Sequence, residues 1–383
     1  MIRSPRRRVA IVGAGNIANS HSGAVRAMSD RAEIVAVVDV DPSRVASFAK
    51  QHDIPGRYED LDTMLEVERP DLAILCTPPF LHFPQTITCL AAGAWVLCEK
   101  PVCGSLAELD RIEAAEAASG ARFSSVSQWR FGERVRKFKD LIATGALGRA
   151  LVVECLTNWY RGQAYYDVVW RGEWATELGG PTVGLGVHFM DLVLSLLGDW
   201  DRVVAMAGTL ARDIEVEDVS MAVVALASGA MVAVVNSALS PRQETALRFD
   251  FDRATIELRS LYSDKDSEWT YTALEGSDGP GLVGVWEPLP GPFVDRHALQ
   301  LERLLDALDG KTAVHVSVAD IRPTYDLISS LYKSARTGQE VARASIGVGD
   351  PYYERFAAVD ALSGPAPYLW PRRPTGEEIG GCA

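Results

Sequence analysis

The stretch "RRVAIVGAGNIANSHSGAVRAM", Arg7 to Met28, decides the fold. An apolar run from Val9 to Val12 reads as a buried strand, the chain turns at Gly13-Ala14-Gly15, and helical spacing follows to about Met28. A strand that passes through glycines into a helix opens a β-α-β unit. The turn has the form G-x-G-x-x-A, and each small residue has a physical task. Gly13 permits the tight turn, Gly15 lets a pyrophosphate approach the backbone, and Ala18 lets helix and strand pack closely. The unpaired N–H groups at the helix start, around Asn16 and Ile17, then face the phosphates with the positive end of the helix dipole.

Working outward, a second strand, "AEIVAVVDV", ends in Asp39, 26 positions after Gly13. A carboxylate at that separation meets the adenosine ribose hydroxyls of a dinucleotide and repels a 2′-phosphate, so NAD is expected rather than NADP. The bland alternative is that Asp39 is an ordinary turn residue. Arg44, five positions on, is the feature that would suit NADP. The alternation continues with helices over Pro42–His52 and Leu61–Glu68, a strand "DLAILCT" stopping at Thr77-Pro78-Pro79, and a helix from about Phe83 to Ala92. Next comes "AWVLCEKPVCG", Ala94 to Gly104, an apolar strand that ends at Glu99-Lys100-Pro101. Proline has no N–H for a sheet ladder and restricts the residue before it, so the strand stops there.

Alternating strands and helices predict an α/β fold: a doubly wound parallel sheet, with ligands at the carboxyl ends of its strands. Gly13, Asp39, Thr77, Glu99 and Lys100 all fall at those ends. Further along the chain the pattern becomes β-rich. "ALVVECLTNW", "DRVVAMAGTLA", "VSMAVVALASGAMVAVVNSAL" and "ALRFDFDRATIEL" read as strands, with hairpin signals at Ser228-Gly229 and Asp252-Arg253. "HALQLERLLDALDG" has helical spacing with Gly310 as its stop. The length of the chain leads us to expect two domains, and the last forty or so residues, rich in Pro, Gly and aromatics, are expected to form an extended tail.

Composition bounds the function. The 383 residues are 48% hydrophobic and 23% charged, with a net charge of −13 and mean hydropathy near zero. That charge, with no basic stripe beyond Arg6–Arg8, argues against nucleic acid. No apolar run reaches the length of a membrane helix, and the N-terminus lacks the apolar core of a secretory signal, so a cytoplasmic protein is expected. The six cysteines (Cys76, Cys89, Cys98, Cys103, Cys155 and Cys382) form no C-x-x-C pair. They predict buried reduced thiols, with no disulfide framework and no metal site.

Taken together, "GAGNIA", "TPPFLH" (Thr77–His82), "EKP" (Glu99–Pro101), Gly179-Gly180, "GVHFMDLVLSLLG" (Gly186–Gly198) and "TYDLISSLYKS" (Thr324–Ser334) resemble the Gfo/Idh/MocA family of nicotinamide-dependent oxidoreductases. The resemblance spans most of the chain. It implies a dinucleotide-binding Rossmann domain over 1–126, followed over 127–383 by an α+β domain for substrate and assembly with a large, open, mostly antiparallel sheet. It also implies hydride transfer between a nicotinamide and a secondary alcohol of a sugar, inositol or related polyol. By that resemblance Lys100 and His188 are the catalytic pair. Such a site must hold the reacting oxygen and take its proton, and a buried Lys or a His can titrate near neutrality. The plain alternative for Lys100 is a salt bridge with Glu99; for His188 it is packing of the amphipathic helix that follows.

One departure stands out. Family members commonly carry Asp four residues before this His, and here the position is Gly184. Asp191, three residues after His188, is the candidate to hold the imidazole or a substrate hydroxyl. The stretch "NWYRGQAYYDVVWRGEW" (Asn158–Trp174) supplies aromatics and Arg suited to a polyhydroxylated ring. Resemblance places Trp170 and Arg171 near the nicotinamide and Tyr165 and Tyr166 near substrate. His82, Gln128 and Arg130 join the cofactor or substrate candidates. Two other readings stay open: an NAD-dependent glycosidase, against which Val183 stands where such enzymes carry His, and a non-catalytic sensor of NAD and sugar. The alternating apolar positions of Met221–Val235 suggest a sheet face that a partner subunit covers, so a homodimer or homotetramer is expected.

Overall fold

The structure is a computed structural model and describes residues 6–261, 268–276 and 295–357. The expected extended tail and Cys382 lie outside the described residues. Six parallel strands form the first sheet: β1 (Arg7–Val12), β2 (Ala32–Val38), β3 (Gly56–Tyr58), β4 (Leu72–Leu75), β5 (Trp95–Cys98) and β6 (Phe123–Ser125). Their order is β3-β2-β1-β4-β5-β6, the doubly wound arrangement. The central strands read as unbroken apolar runs because both faces are covered by helices α1 (Asn16–Ala27), α2 (Pro42–His52), α3 (Leu61–Glu68), α4 (Pro79–Ala91) and α5 (Leu106–Ser119).

Local chemistry sets the boundaries. The Asp41 carboxylate caps α2 by accepting from the Ser43 and Arg44 N–H groups, and Pro42 fills the first turn, where no N–H is needed. Helix α4 starts earlier than the Phe83 read from the sequence, because Pro79 occupies its first position. Gly13 has φ +94°, and a Cβ there would sit 2.8 Å from the Cys76 carbonyl. Glycine is therefore required by both conformation and the close approach of the β4 end.

The second sheet has eight strands: β7 (Ala150–Tyr160), β8 (Trp200–Gly208), β9 (Val219–Leu226), β10 (Met231–Ser237), β11 (Leu239–Phe251), β12 (Ala254–Ser260), β13 (Trp269–Ala273) and β14 (Val341–Ala342). The order is β13-β12-β11-β7-β10-β9-β8-β14, antiparallel except for the parallel pair β7–β10. Both expected hairpins are present, at Ser228-Gly229 and at Asp252-Arg253. Helices α6 (Glu133–Ala143), α8 (Val187–Leu197) and α10 (Val318–Thr337) pack on one face, while the short α7 (Gln163–Tyr166) leaves the end of β7. On the other face Val204, Met206, Met221, Val223 and Met231 remain about half exposed, an apolar surface with no cover among the described residues.

Two features were not legible in the sequence pattern. Helix α9 (Arg296–Leu308) returns to the first unit, where Leu301, Leu304 and Leu305 join the core of Val9, Ile11 and Val37. Gln300 on α9 fixes the crossover by donating to the Ser125 carbonyl and accepting from the Ser127 N–H. And α8 is buried on nearly every side rather than amphipathic, since it runs beneath the second sheet. The stretch Trp174–Leu197 that contains it is long and apolar enough to cross a membrane by composition, but 83% of its most apolar 18 residues lie inside the protein, as in a core helix.

Candidate active site

A cleft of about 1180 Å³ runs along the carboxyl ends of the first sheet and under the second unit. Gly13, Gly15, Asn16, Ile17 and Asp39 form one end; Thr77, Pro78 and His82 form its middle wall. Glu99, Lys100, Gln128, Tyr165, Trp170, Arg171 and His188 line the other end.

The dinucleotide end fits NAD on its own geometry. Helix α1 starts at Gly15 with no side-chain cap and no acid in its first turn, so its first N–H groups are left for a phosphate. A Cβ on Gly15 would meet nothing within 4 Å, which leaves room for a ligand against the backbone. The Asp39 carboxylate accepts from the Ala14 N–H at 2.9 Å and the Asp41 N–H at 3.0 Å, which fixes it at the mouth with lone pairs still available. Arg44 is largely exposed and leans on Asp41 at 3.5 Å.

At the strand tip, the two charges of "EKP" separate. The buried Glu99 carboxylate lies 2.9 Å from His21 Nε2 on α1. Burial pushes Glu99 up, but the His21 hydrogen bond and neighbouring positive charge outweigh it and hold its pKa at about 2. His297 on α9 completes this cluster, with the three groups' ligand atoms within 4.8 Å of one another. Lys100 does not pair with Glu99: its Nζ donates to the Gly184 carbonyl at 2.8 Å. Burial lowers the Lys100 pKa, the Glu99 charge opposes that, and Arg171 and Arg161 reinforce it.

Gly184 sits in a single π-helical turn, Thr182–Gly186, that leads into α8. Buried Glu217 holds the turn by accepting from the Gly180 and Thr182 N–H groups at 3.0 and 3.1 Å, and from the Tyr332 hydroxyl at 3.0 Å. Burial raises the Glu217 pKa against those bonds. Such turns recur at functional sites. This one turns the Gly184 carbonyl to Lys100 and brings His188 to the cleft one turn later. Nothing lies within 4 Å of a Cβ built on Gly184, so the absent Asp leaves open space rather than a filled gap. Val183 is fully buried in the core. Burial, then the Lys100 charge, drives the His188 pKa well below its usual value, so its imidazole is neutral at pH 7.

Three sequence candidates fall elsewhere, each for a physical reason. Both carboxylate oxygens of Asp191 are taken by Arg130, at 2.7 Å from Nε and 2.5 Å from Nη2, and Thr324 donates to one of them. Neither Asp191 nor Arg130 lines the cleft; they tie α8 to the short turn Gln128–Arg130 and to α10. Tyr166 also lies outside the cleft, edge-on to Tyr165. His82 is in the wall, but its two ring nitrogens face the Pro101 and Thr77 carbonyls at 2.7 Å each, so it braces the loops.

Glu177, which is not among the candidates read from the sequence, is brought in. It is buried, pairs with Arg171 at 2.7 Å and accepts from the Gly172 N–H at 2.7 Å. Arg171 in turn lies 3.6 Å over the Tyr165 ring and 4.1 Å from the Trp170 ring centre. No local signal picks Glu177 out from Glu173 four positions before it, because only the folded turn decides which carboxylate faces inward.

Comparison with known proteins agrees with this geometry. Residues 7–127 match the oxidoreductase family described by its NAD-binding Rossmann fold, and residues 135–257 match the GFO/IDH/MocA C-terminal domain. The D-glucoside 3-dehydrogenase of Escherichia coli is 24% identical over 368 residues, 87% of this chain and 97% of that one. The myo-inositol 2-dehydrogenase of Thermotoga maritima is 27% identical over 60% of this chain and 68% of its own. The crystal structure of the WlbA dehydrogenase from Bordetella pertussis with NADH and UDP-GlcNAcA superposes with a TM-score of 0.78 at 27% identity, covering 88% of this chain and 99% of that one. With a glycine turn, a doubly wound sheet and a second mixed sheet in one chain, this protein belongs to the Gfo/Idh/MocA family of NAD-binding oxidoreductases.

Proposed function

We propose that the protein oxidises a secondary alcohol of a sugar, inositol or related polyol, with Lys100 and His188 as the groups that handle the hydroxyl. The observation that carries this is the placement of Lys100 Nζ in the cleft, bonded to a backbone carbonyl rather than to a carboxylate. An ammonium has three N–H donors, and one is spent on Gly184, so the others remain for a substrate oxygen. That donor steadies the oxygen as charge develops on it, and neutral His188 takes the proton. Bound NAD supplies the hydride acceptor, with Gly13, Gly15 and the start of α1 holding its pyrophosphate, Asp39 its ribose, and Trp170-Arg171 the nicotinamide end. Residues 1–126 serve the dinucleotide and 127–383 the substrate and assembly, with α9 lent back to the first unit. The five cysteines among the described residues are free and buried, which suits the reducing cytoplasm. The half-exposed apolar sheet face supports a homodimer or a dimer of dimers.

A panel of neutral and acidic sugars and inositols, followed at the absorbance of reduced nicotinamide with NAD and NADP, tests the activity. Absence of reduction with every secondary alcohol would sink the reading. Light scattering at micromolar concentration tests the assembly, and a monomeric mass removes it.

A further inference from the structure

The substrate end of the cleft holds more cations than acids, three against Glu99 and Glu177. Lys100, Arg161 and Arg171 bring three cations to it. Glu177 is committed to Arg171, and Glu99 is hydrogen-bonded to His21 while its charge favours the charged form of Lys100 through space. Arg161 has no carboxylate within 4 Å among the described residues. In a chain of net charge −13, whose other cleft arginines, Arg44 and Arg171, lean on acids, that is a local choice and not a general excess of base.

Arg161 is also held still. It follows the last residue of β7, and its backbone N–H donates to the Ala238 carbonyl at 2.8 Å. Its guanidinium lies 4.9 Å from the Trp159 ring centre and 5.2 Å from that of Tyr165, and Nη1 donates to the Tyr160 carbonyl at 3.0 Å. Aromatic faces fix a guanidinium without neutralising it, so its remaining fork of donors is pre-organised for a planar or tetrahedral oxyanion. The phosphates of NAD belong at the Gly13–Gly15 turn of the first unit, whereas Arg161 comes from the second unit on the side of Lys100. Its charge is felt at Lys100, where it adds to the lowering of that pKa.

We propose that Arg161 is a specificity-determining residue, and that the sugar this protein selects carries an anionic group, a carboxylate or a phosphate, that Arg161 receives while a ring hydroxyl meets Lys100. The proposal rests on the sugar dehydrogenase reading, and it names the class of sugar. It uses the one guanidinium of the cleft's substrate end that no acid in the described residues occupies.

Calorimetric titration of the NADH-loaded protein with D-glucuronate, D-glucose 6-phosphate and D-glucose separates the sources. At least one acidic sugar is expected to bind about tenfold or more tightly than glucose, the scale of one charge-assisted hydrogen-bonded pair. Which acid wins tells carboxylate from phosphate. In Arg161→Gln the acidic sugar should lose at least about tenfold more affinity than glucose loses, and Arg161→Lys should retain part of the preference. A melting curve on each variant confirms the fold. Equal affinity for acidic and neutral sugars, or an acidic preference that survives Arg161→Gln, overturns the inference. Nicotinamide reduction is read separately. Arg161-dependent binding of an acid with no turnover of any sugar would leave this inference standing and the dehydrogenase reading fallen. Turnover confined to neutral sugars would do the reverse.

Discussion

Replacing Lys100 by Met keeps an unbranched side chain one atom shorter and removes its three donors and its charge. Two consequences can be worked from the structure. The fold loses one hydrogen bond, Nζ to the Gly184 carbonyl at 2.8 Å, and that carbonyl faces a cleft where water can replace it. A partly buried ammonium is also removed, and desolvation disfavours its charged form, so these effects offset and the net stability change should stay within about 1 kcal/mol. Catalysis loses the donor that meets the substrate oxygen. Removing one such positioned donor costs about 2.7–4 kcal/mol, and at 1.36 kcal/mol per tenfold this is a fall in kcat of roughly a hundred- to a thousandfold. NAD affinity should change little, because the pyrophosphate and ribose contacts lie at Gly13, Gly15 and Asp39. Single-turnover absorbance of reduced nicotinamide gives the chemical step, calorimetry gives cofactor binding, and a thermal melt gives the fold. Wild-type turnover in Lys100→Met would refute the reasoning and make the lysine a brace for the π-helical turn.

Asp39→Ala should weaken NAD about tenfold or more and narrow the gap to NADP, since it removes both an acceptor for ribose and the tether to the Ala14 N–H; calorimetry with both dinucleotides decides it. Asp191→Ala leaves the Arg130 guanidinium buried without its carboxylate and should cost about 3–5 kcal/mol in denaturant unfolding, while KM for the sugar stays near wild type at low temperature. A large KM effect without lost stability would restore Asp191 to the substrate site. Stability should fall as pH drops below 6.5, because the unfolded chain then binds a proton that folded His188, with its depressed pKa, refuses. Urea melts at pH 7 and 5.5 should show a smaller loss in His188→Gln; an equal loss would contradict a neutral imidazole. At lower pH, Glu99 adds its own term. Its folded pKa of about 2 against 4.5 unfolded contributes about 3 kcal/mol above pH 4.5, lost as pH falls toward 2, and Glu99→Gln should flatten that limb.

The sequence alone determined the first unit and the place of the chemistry. The strand that breaks at Gly13-Ala14-Gly15, the acid that ends β2 and the proline that stops β5 are local signals. Their meaning depends only on backbone sterics and on strand–helix alternation, and α2, α3 and β5 begin and end where those signals put them. Lys100 and His188, named from the motifs of the resembled family, meet in one cleft with the glycine turn. What the tertiary structure decided is which polar groups are already spent. Asp191 looked available beside His188 because helical spacing puts the two on neighbouring faces, yet its partner Arg130 lies 61 positions away in sequence and on another element. Glu177 and Arg161 gained their places from the fold of the segment between β7 and α8, and Glu217 from a strand-end loop 35 positions beyond the turn it holds. A π-helical turn has no propensity signature, and the return of α9 to the first sheet depends on apolar positions that could equally cover the second. Long-range pairing of buried charge is set by packing, and no local period in the chain records it.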